Sequence, residues 1–298
     1  MKSRGHWLIL LAACLWGTNG TAQALAPSGA QPIIIGTLRI ALGGLTLLAI
    51  AAARGVLRER KHWPFIPTLL GALSMAAYQI FFFAGVARTG VAIGTIVGIG
   101  STPILAGPIG YLARRERPSR RWLAATILGI IGCGLLISAG ESIHIDLLGI
   151  LMAICAGGSY AIFTTASKGL VEHHAPEAVM AVTFSLGACF VLPLLIGADL
   201  HWLTRPAGLM VILHLGVITA ALAYTLFARG LQMVPVATAA TLTLGEPLTA
   251  GLLGVLFLHE ALSGLAMVGI LLIFTGLVFL STEKLEPLPN SPKPINPD

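Results

Sequence analysis

Charge is what this chain has least of. Of its 298 residues only 10% are Asp, Glu, Lys or Arg, while 56% are hydrophobic and the mean hydropathy is +0.89. An ordinary soluble domain carries about 25% charged residues, so a water-soluble fold is excluded. Cysteine is scarce too: Cys14, Cys133, Cys155 and Cys189 all fall inside apolar runs. They read as small packing residues, not as a disulfide framework. No nucleotide-binding motif is present and no polar stretch is long enough for an ATPase domain, so neither a cofactor nor direct ATP drive is expected. Ser101 in GIGSTP has no serine-protease context, and His214 is the one histidine placed inside a run as a base. An intramembrane enzyme is therefore disfavoured. His173, His174 and Glu177 have a spacing a metal can use, but beside a loop they read as solvated side chains, and no metal is expected.

What is abundant is apolar sequence, in ten runs near the ~20 residues a helix needs to cross a bilayer. They cover roughly 5–25, 32–53, 64–87, 89–113, 122–140, 147–168, 176–197, 207–229, 235–258 and 261–281. The expected class is an all-α integral membrane protein whose principal surroundings are lipid. Lys2 and Arg4 precede the first run as they would in a signal peptide. Trp16, Asn19 and Gln23 interrupt it, however, and nine runs follow, so it reads as a retained span. The stretch EPLPNSPKPINPD, 286–298, reads as a disordered tail.

The net charge of +6 is distributed by loop. Lys2, Arg4, Arg54, Arg58, Arg60, Lys61, the run RRERPSRR (114–121), Lys168, Arg229, Lys284 and Lys293 lie on one side. The other side has Arg88 and Arg205, with Glu141, Asp146, Asp199 and Glu260. This positive-inside bias predicts that both termini are cytoplasmic, and it makes the basic run a topology anchor, not a nucleic-acid site.

Shifted by 144 positions, the chain partly overlays itself. Pro32 meets Pro176, Gly43 meets Gly187, Pro103 meets Pro247, Glu116 meets Glu260 and Gly132 meets Gly276. Five runs per half is an odd number, so the second copy enters from the opposite face. The expected domains are 1–140 and 141–285, an inverted repeat with a site near the midplane between them. Glu116 and Glu260 then end equivalent helices, where solvation at the interface is the reading preferred over transport chemistry.

Residues 85–137, GVARTGVAIGTIVGIGSTPILAGPIGYLARRERPSRRWLAATILGIIGCGLLI, and their counterpart FARGLQMVPVATAATLTLGEPLTAGLLGVLFLHEALSGLAMVGILLIFTGLVFL carry small residues, a proline in the fourth helix, a glutamate at its end and a glycine-rich fifth helix. With LWGTNG in the first helix, this resembles the EamA-type repeat of the drug/metabolite transporter superfamily. The resemblance implies ten helices in two inverted halves around a central cavity. At whole-chain level it is most similar to the bacterial branch that exports aromatic and other bulky amino acids.

Helical spacing of about 100° per residue nominates the walls. Ala12, Trp16, Asn19, Gly20 and Gln23 share a stripe, as do Ala156, Tyr160, Phe163, Thr164 and Ser167 at the shifted positions. Lipid offers their polar groups no partner, although small polar residues also serve helix packing. Thr238, Thr241, Gly245 and Thr249 form a stripe of the ninth run, matched by one containing Ser101 in the fourth; Tyr78 and Phe82 share a face of the third. Glu246 lies roughly 60° off its stripe, and spacing leaves open whether it borders the cavity. A charge at a helix centre costs about 2.5–3.5 kcal/mol on insertion scales, so it persists when it is paired or useful. Pro103 and Pro247 are candidate hinges or static bends, and Pro247 deprives the Thr243 carbonyl of its usual donor. The expected substrate-binding set is Trp16, Asn19, Gln23, Tyr78, Phe82, Ser101, Tyr160, Thr164, Thr241 and Glu246, with an amino acid as the partner. A proton-coupled exporter of drugs or organic cations is the alternative, and a channel or structural membrane protein is a further class. Oligomeric state is left open, a monomer sufficing.

Overall fold

The computed structural model describes residues 4–58, 62–137, 146–258 and 263–283. Lys2, Arg60, Lys61, Glu141, Glu260, Lys284, Lys293 and the 286–298 tail lie outside the described residues. The helices, in chain order, are α1 (Arg4–Ala24), α2 (Pro32–Ala53), α3 (Phe65–Thr89), α4 (Val91–Arg114) and α5 (Arg120–Ile137). They are followed by α6 (Leu147–Val171), α7 (Pro176–Val191), α8 (Pro206–Leu231), α9 in two pieces (Val236–Leu242 and Gly245–Leu258) and α10 (Gly264–Ser281). Among the described residues, eight helical spans are long and apolar enough to cross a membrane by length and composition. Leu45, Leu112, Leu147, Met210, Leu271 and Phe274 stand exposed on the outside, as residues against acyl chains do. Cys14 and Cys189 share that outer surface, which corrects their reading as packing residues; Cys133 is buried.

Sequence sets where the helices begin. Pro32, Pro176 and Pro206 open α2, α7 and α8, where a missing N–H is not needed. Ser119 accepts from the Trp122 N–H at 2.9 Å and Ser263 from the Ala266 N–H at 3.1 Å. These are the same cap repeated at a spacing of 144, and it fixes the start of α5 and of α10.

Packing follows the same duplication. α3 lies on α6 as α8 lies on α1, α4 lies on α6 as α9 lies on α1, and α2 with α7 and α5 with α10 pair with their own counterparts. This exchange of partners is what a two-fold relation between halves produces. Glycines enable the close approaches, since helix association in lipid depends on packing. A Cβ on Gly132 would lie 2.7 Å from the Gly269 carbonyl; one on Gly276 would lie 2.9 Å from the Ala125 carbonyl, the mirrored contact. The architecture is thus ten helices in two inverted five-helix repeats around a central cavity.

The halves differ by one residue in α8. A Cβ on Gly85 would lie 3.1 Å from the Gly149 carbonyl, and one on Gly230 would lie 2.8 Å from that of Gly5. Gly5 and Gly149 are related by 144, but Gly85 and Gly230 by 145. The segment His214–Leu222 is π-helical, and a π turn absorbs one extra residue.

On the face carrying the basic loops, side chains tie the halves together. Arg54 reaches Glu177 at 2.6 Å, and Arg229 binds the same carboxylate. Arg114 joins Glu116 and Glu172, and Glu116 accepts from the Val236 N–H at 2.7 Å. Four expectations are corrected here. Glu116 is a cap on α9, not a solvated helix end. Glu177 is buried and doubly paired, and His174, stacked on Trp63 at 4.0 Å, is buried as well, so neither is solvated. Lys168 is not a loop residue: it is wholly buried in the last turn of α6, where its ammonium donates to the carbonyls of Leu231, Gln232 and Val234.

Candidate functional site

Between the halves lies a cavity of about 40 Å³. Its walls come in related pairs: Trp16 with Tyr160, Ile99 with Thr243, and Thr102 with Glu246, each 144 positions apart. Tyr78 from α3 and Tyr224 from α8 complete the aromatic side, and Asn19 and Arg39 complete the polar side. A cavity bounded by both members of each pair sits on the axis that relates the repeats.

The rings form a continuous cluster. Trp16 is 4.7 Å from Tyr224 and 6.4 Å from Tyr160, edge to face with the latter, and Tyr78 is 5.4 Å from Tyr160. Such tilted and edge arrangements place ring edges against ring faces. Trp16 and Tyr160 both face inward, only 3% and 6% exposed. The Trp16 indole N–H donates at 2.9 Å to the carbonyl of Thr219, which lies inside the π-helical turn. The local widening of α8 thereby anchors the central ring of the site.

Glu246 reaches the cavity because α9 is broken. Helix geometry stops at Leu242 and resumes at Gly245, so Glu246 sits in the first turn of a half-helix, where the backbone dipole favours negative charge. The Thr243 carbonyl, denied a donor by Pro247, accepts instead from the Glu246 N–H at 2.9 Å. Pro103 has no such effect. It is buried within α4, which continues unbroken from Val91 to Arg114. One of the two matched prolines therefore interrupts its helix and the other does not.

Of the residues nominated from sequence, Trp16, Asn19, Tyr78, Tyr160 and Glu246 border this cavity. Gln23 is half-buried further along α1. Phe82 stacks behind Tyr78 at 5.6 Å. Ser101 donates to the Gly98 carbonyl at 3.2 Å and packs on Gly157. Thr164 donates to the Tyr160 carbonyl at 2.9 Å. Thr241 hydrogen-bonds Thr126 at 2.8 Å across the halves, a packing contact. The nominated set left out Arg39, Tyr224, Ile99, Thr102 and Thr243, although the sequence marks Arg39 as a basic residue deep in a span and puts Tyr224 on a face with Phe227. For Ile99 and Thr102 the signal was present, since both are 144 positions before cavity residues in α9.

The cavity has two poles. Arg39 stands on one side, and Glu246 and Asn19 border the same hollow. Among the described residues no carboxylate is within ion-pair distance of Arg39. No group of residues able to hold a metal occurs among the described residues. The arrangement can bind and orient a small molecule; among the described cavity residues no nucleophile–base pair is assembled.

Comparison with known proteins agrees with this architecture. The model of the EamA-like transporter family matches twice, over residues 3–138 and 147–282. The transporter YwfM of Bacillus subtilis, itself uncharacterized, is 43% identical over 274 residues, 92% of each chain. The threonine/homoserine exporter RhtA of Escherichia coli is 28% identical over 268 residues, 88% of this chain and 86% of RhtA. A solved crystal structure superposes with a TM-score of 0.82 at 20% identity, covering 94% of this chain and 96% of that one.

Proposed function

Because the chain belongs to the EamA-like transporter family, and is a multi-pass membrane transporter of small molecules and not an enzyme, we propose that it exports neutral amino acids, bulky and aromatic ones among them. The observation that carries this reading is the convergence of Glu246, Asn19 and a wall of aromatic rings from both halves on one cavity. A carboxylate and an amide oxygen suit an ammonium group, and tyrosine and tryptophan rings suit an apolar side chain. The exporter named for threonine and homoserine among the relatives supports an amino-acid class.

Transport proceeds by alternating access. A hollow of about 40 Å³ has room for roughly three waters at 10–15 Å³ each and none for an amino acid, so the halves must part to admit substrate. The interruption of α9 at Thr243 supplies a flexible point beside the site. With the basic loops cytoplasmic, the ties from Arg54, Arg229 and Glu116 close the cytoplasmic face in this conformation, and export runs from there to the outside. The second reading is an exporter of organic cations, favoured by Glu246 among rings, since ring faces attract cations. Purified protein in liposomes, given labelled phenylalanine, threonine, homoserine and a quaternary amine, decides between them. Saturable counterflow of the amino acids supports the proposal; transport of the amine alone overturns it. Glu246→Gln is expected to lower amino-acid counterflow at least about tenfold, as loss of a buried charged hydrogen-bond partner does. An unchanged rate removes Glu246 from the site.

A further inference from the structure

Arg39 is the polar group of the cavity that the proposed function leaves unused. It lies in α2, within a span of mean hydropathy 2.1, where a guanidinium is costly and is retained where it has a partner or a task. Its Nε is buried without a hydrogen-bond partner, and no carboxylate among the described residues pairs with it directly. The nearby Tyr224 hydroxyl is a neutral phenol and leaves the positive charge unbalanced. Arg39 is also the donor-rich end of the site, a planar fork with five N–H groups and no acceptor.

The other end is built from acceptors. Glu246 is a carboxylate, and the Asn19 Oδ1, in the same cavity wall, is buried with no partner. Donors on α2 therefore face acceptors on α1 and α9 across one small hollow. Neither Arg39 nor Glu246 has its counterpart in the other half, where Thr183 and Thr102 stand at the related positions. The two-fold relation does not cancel the polarity.

We propose that Arg39 is the carboxylate anchor of the site, so that an α-amino acid lies with its carboxylate on Arg39 and its ammonium on Glu246 and Asn19. This rests on the reading of the cavity as an amino-acid site and names its recognition chemistry. A guanidinium binds a carboxylate by paired, charge-assisted hydrogen bonds. The same charge repels an amine that lacks a carboxylate, so Arg39 selects zwitterions over cations by repulsion as well as attraction. Neither pole has a direct ion pair among the described residues, and a bound zwitterion supplies one to each.

The test is a competition series in proteoliposomes against counterflow of labelled phenylalanine and threonine. Each competitor scaffold is supplied as the amino acid, as its amide, which keeps only the ammonium, and as the desamino acid, which keeps only the carboxylate. For the protein with Arg39 intact, the amino acid is expected to compete at least about tenfold better than either, the effect of one lost charged contact. Arg39→Gln is expected to weaken the amino acid and, by relieving the repulsion, to strengthen the amide, collapsing the preference; Arg39→Lys is expected to restore part of it. An amide that competes as well as the amino acid in the unsubstituted protein, or an Arg39→Gln protein with the preference intact, overturns the assignment. Should Arg39→Gln fail to purify as a monodisperse species, the unsubstituted series decides alone. If the amino acids show counterflow but the amides compete equally, Arg39 has another role and the amino-acid reading stands. If no amino acid shows counterflow, both fall.

Discussion

Lys168 is the residue whose place departs most from its sequence context. A lysine at the end of an apolar run reads as one more cytoplasmic charge, yet its ammonium is wholly buried and serves three carbonyls at the end of α8 and in the turn to α9. The Leu231 and Gln232 carbonyls have run out of helical donors, and the ammonium supplies them while its stem packs between helices. Lys168→Met keeps the volume and removes the donors. It is expected to cost about 1–3 kcal/mol, read as a melting temperature lowered by several degrees in detergent; an unchanged melting curve argues against the capping role. Asp146 is legible by contrast. A carboxylate just before an apolar run is an N-cap by rule, and it accepts from the Gly149 N–H at 2.8 Å. That bond, and then Arg88, hold its carboxyl below the usual carboxylate range. A folded-state pKa below the unfolded one means the stabilisation is present above the ordinary carboxylate range and is lost as pH falls through the lowered value. Amide exchange at the start of α6 is therefore expected to quicken in acid, and Asp146→Ala is expected to show that faster exchange already at neutral pH.

Elements were easier to read than their interruptions. Apolar length alone located the helices within a few residues, because lipid leaves backbone groups no partners except within a helix. The π turn of α8 has no such signature in composition, and it hid the one-residue offset between repeats. The break in α9 was half visible: Pro247 announced a lost donor, but not that Glu246 would supply it and that a new helix would start there. Pro103, the same residue at the related position, leaves α4 continuous, so proline alone did not decide. Where helices touch, glycine does decide. Gly132→Ala puts a methyl 2.7 Å from the Gly269 carbonyl and is expected to destabilise by about 1–3 kcal/mol. Gly134→Ala, with nothing within 4 Å, is expected to be neutral or to stabilise by up to about 1 kcal/mol. Opposite signs two residues apart, measured by melting, test the α5–α10 contact; equal effects count against it.

At the scale of the whole molecule, the conformation is set by how the halves close on each other. Glu177 from the second half holds Arg54 from the first, with Arg229 beside it, and Glu116 reaches across to the start of α9. Glu177→Gln is expected to loosen this face. With the native cysteines replaced, a Ser167→Cys probe, buried in the parent, is expected to label at least about threefold faster from that side, a modest shift of the open population. Unchanged labelling counts against the ties as a closure. The duplication itself was legible because a spacing of 144 survives in prolines and glycines that backbone geometry constrains. The polarity of the cavity was not, because it depends on residues that differ between the copies.

That difference limits how the protein can be assembled. Two chains made only of the first half would bring together a pair of guanidinium groups and no carboxylate from the Glu246 position; two of the second half would bring together a pair of acids with threonine in place of arginine. Neither self-paired hybrid carries both the Arg39 guanidinium and the Glu246 carboxylate. Co-expressed complementary halves restore that electrical asymmetry, and under the proposed recognition by Arg39 and Glu246 a zwitterion entering between them has one head-to-tail orientation, not two.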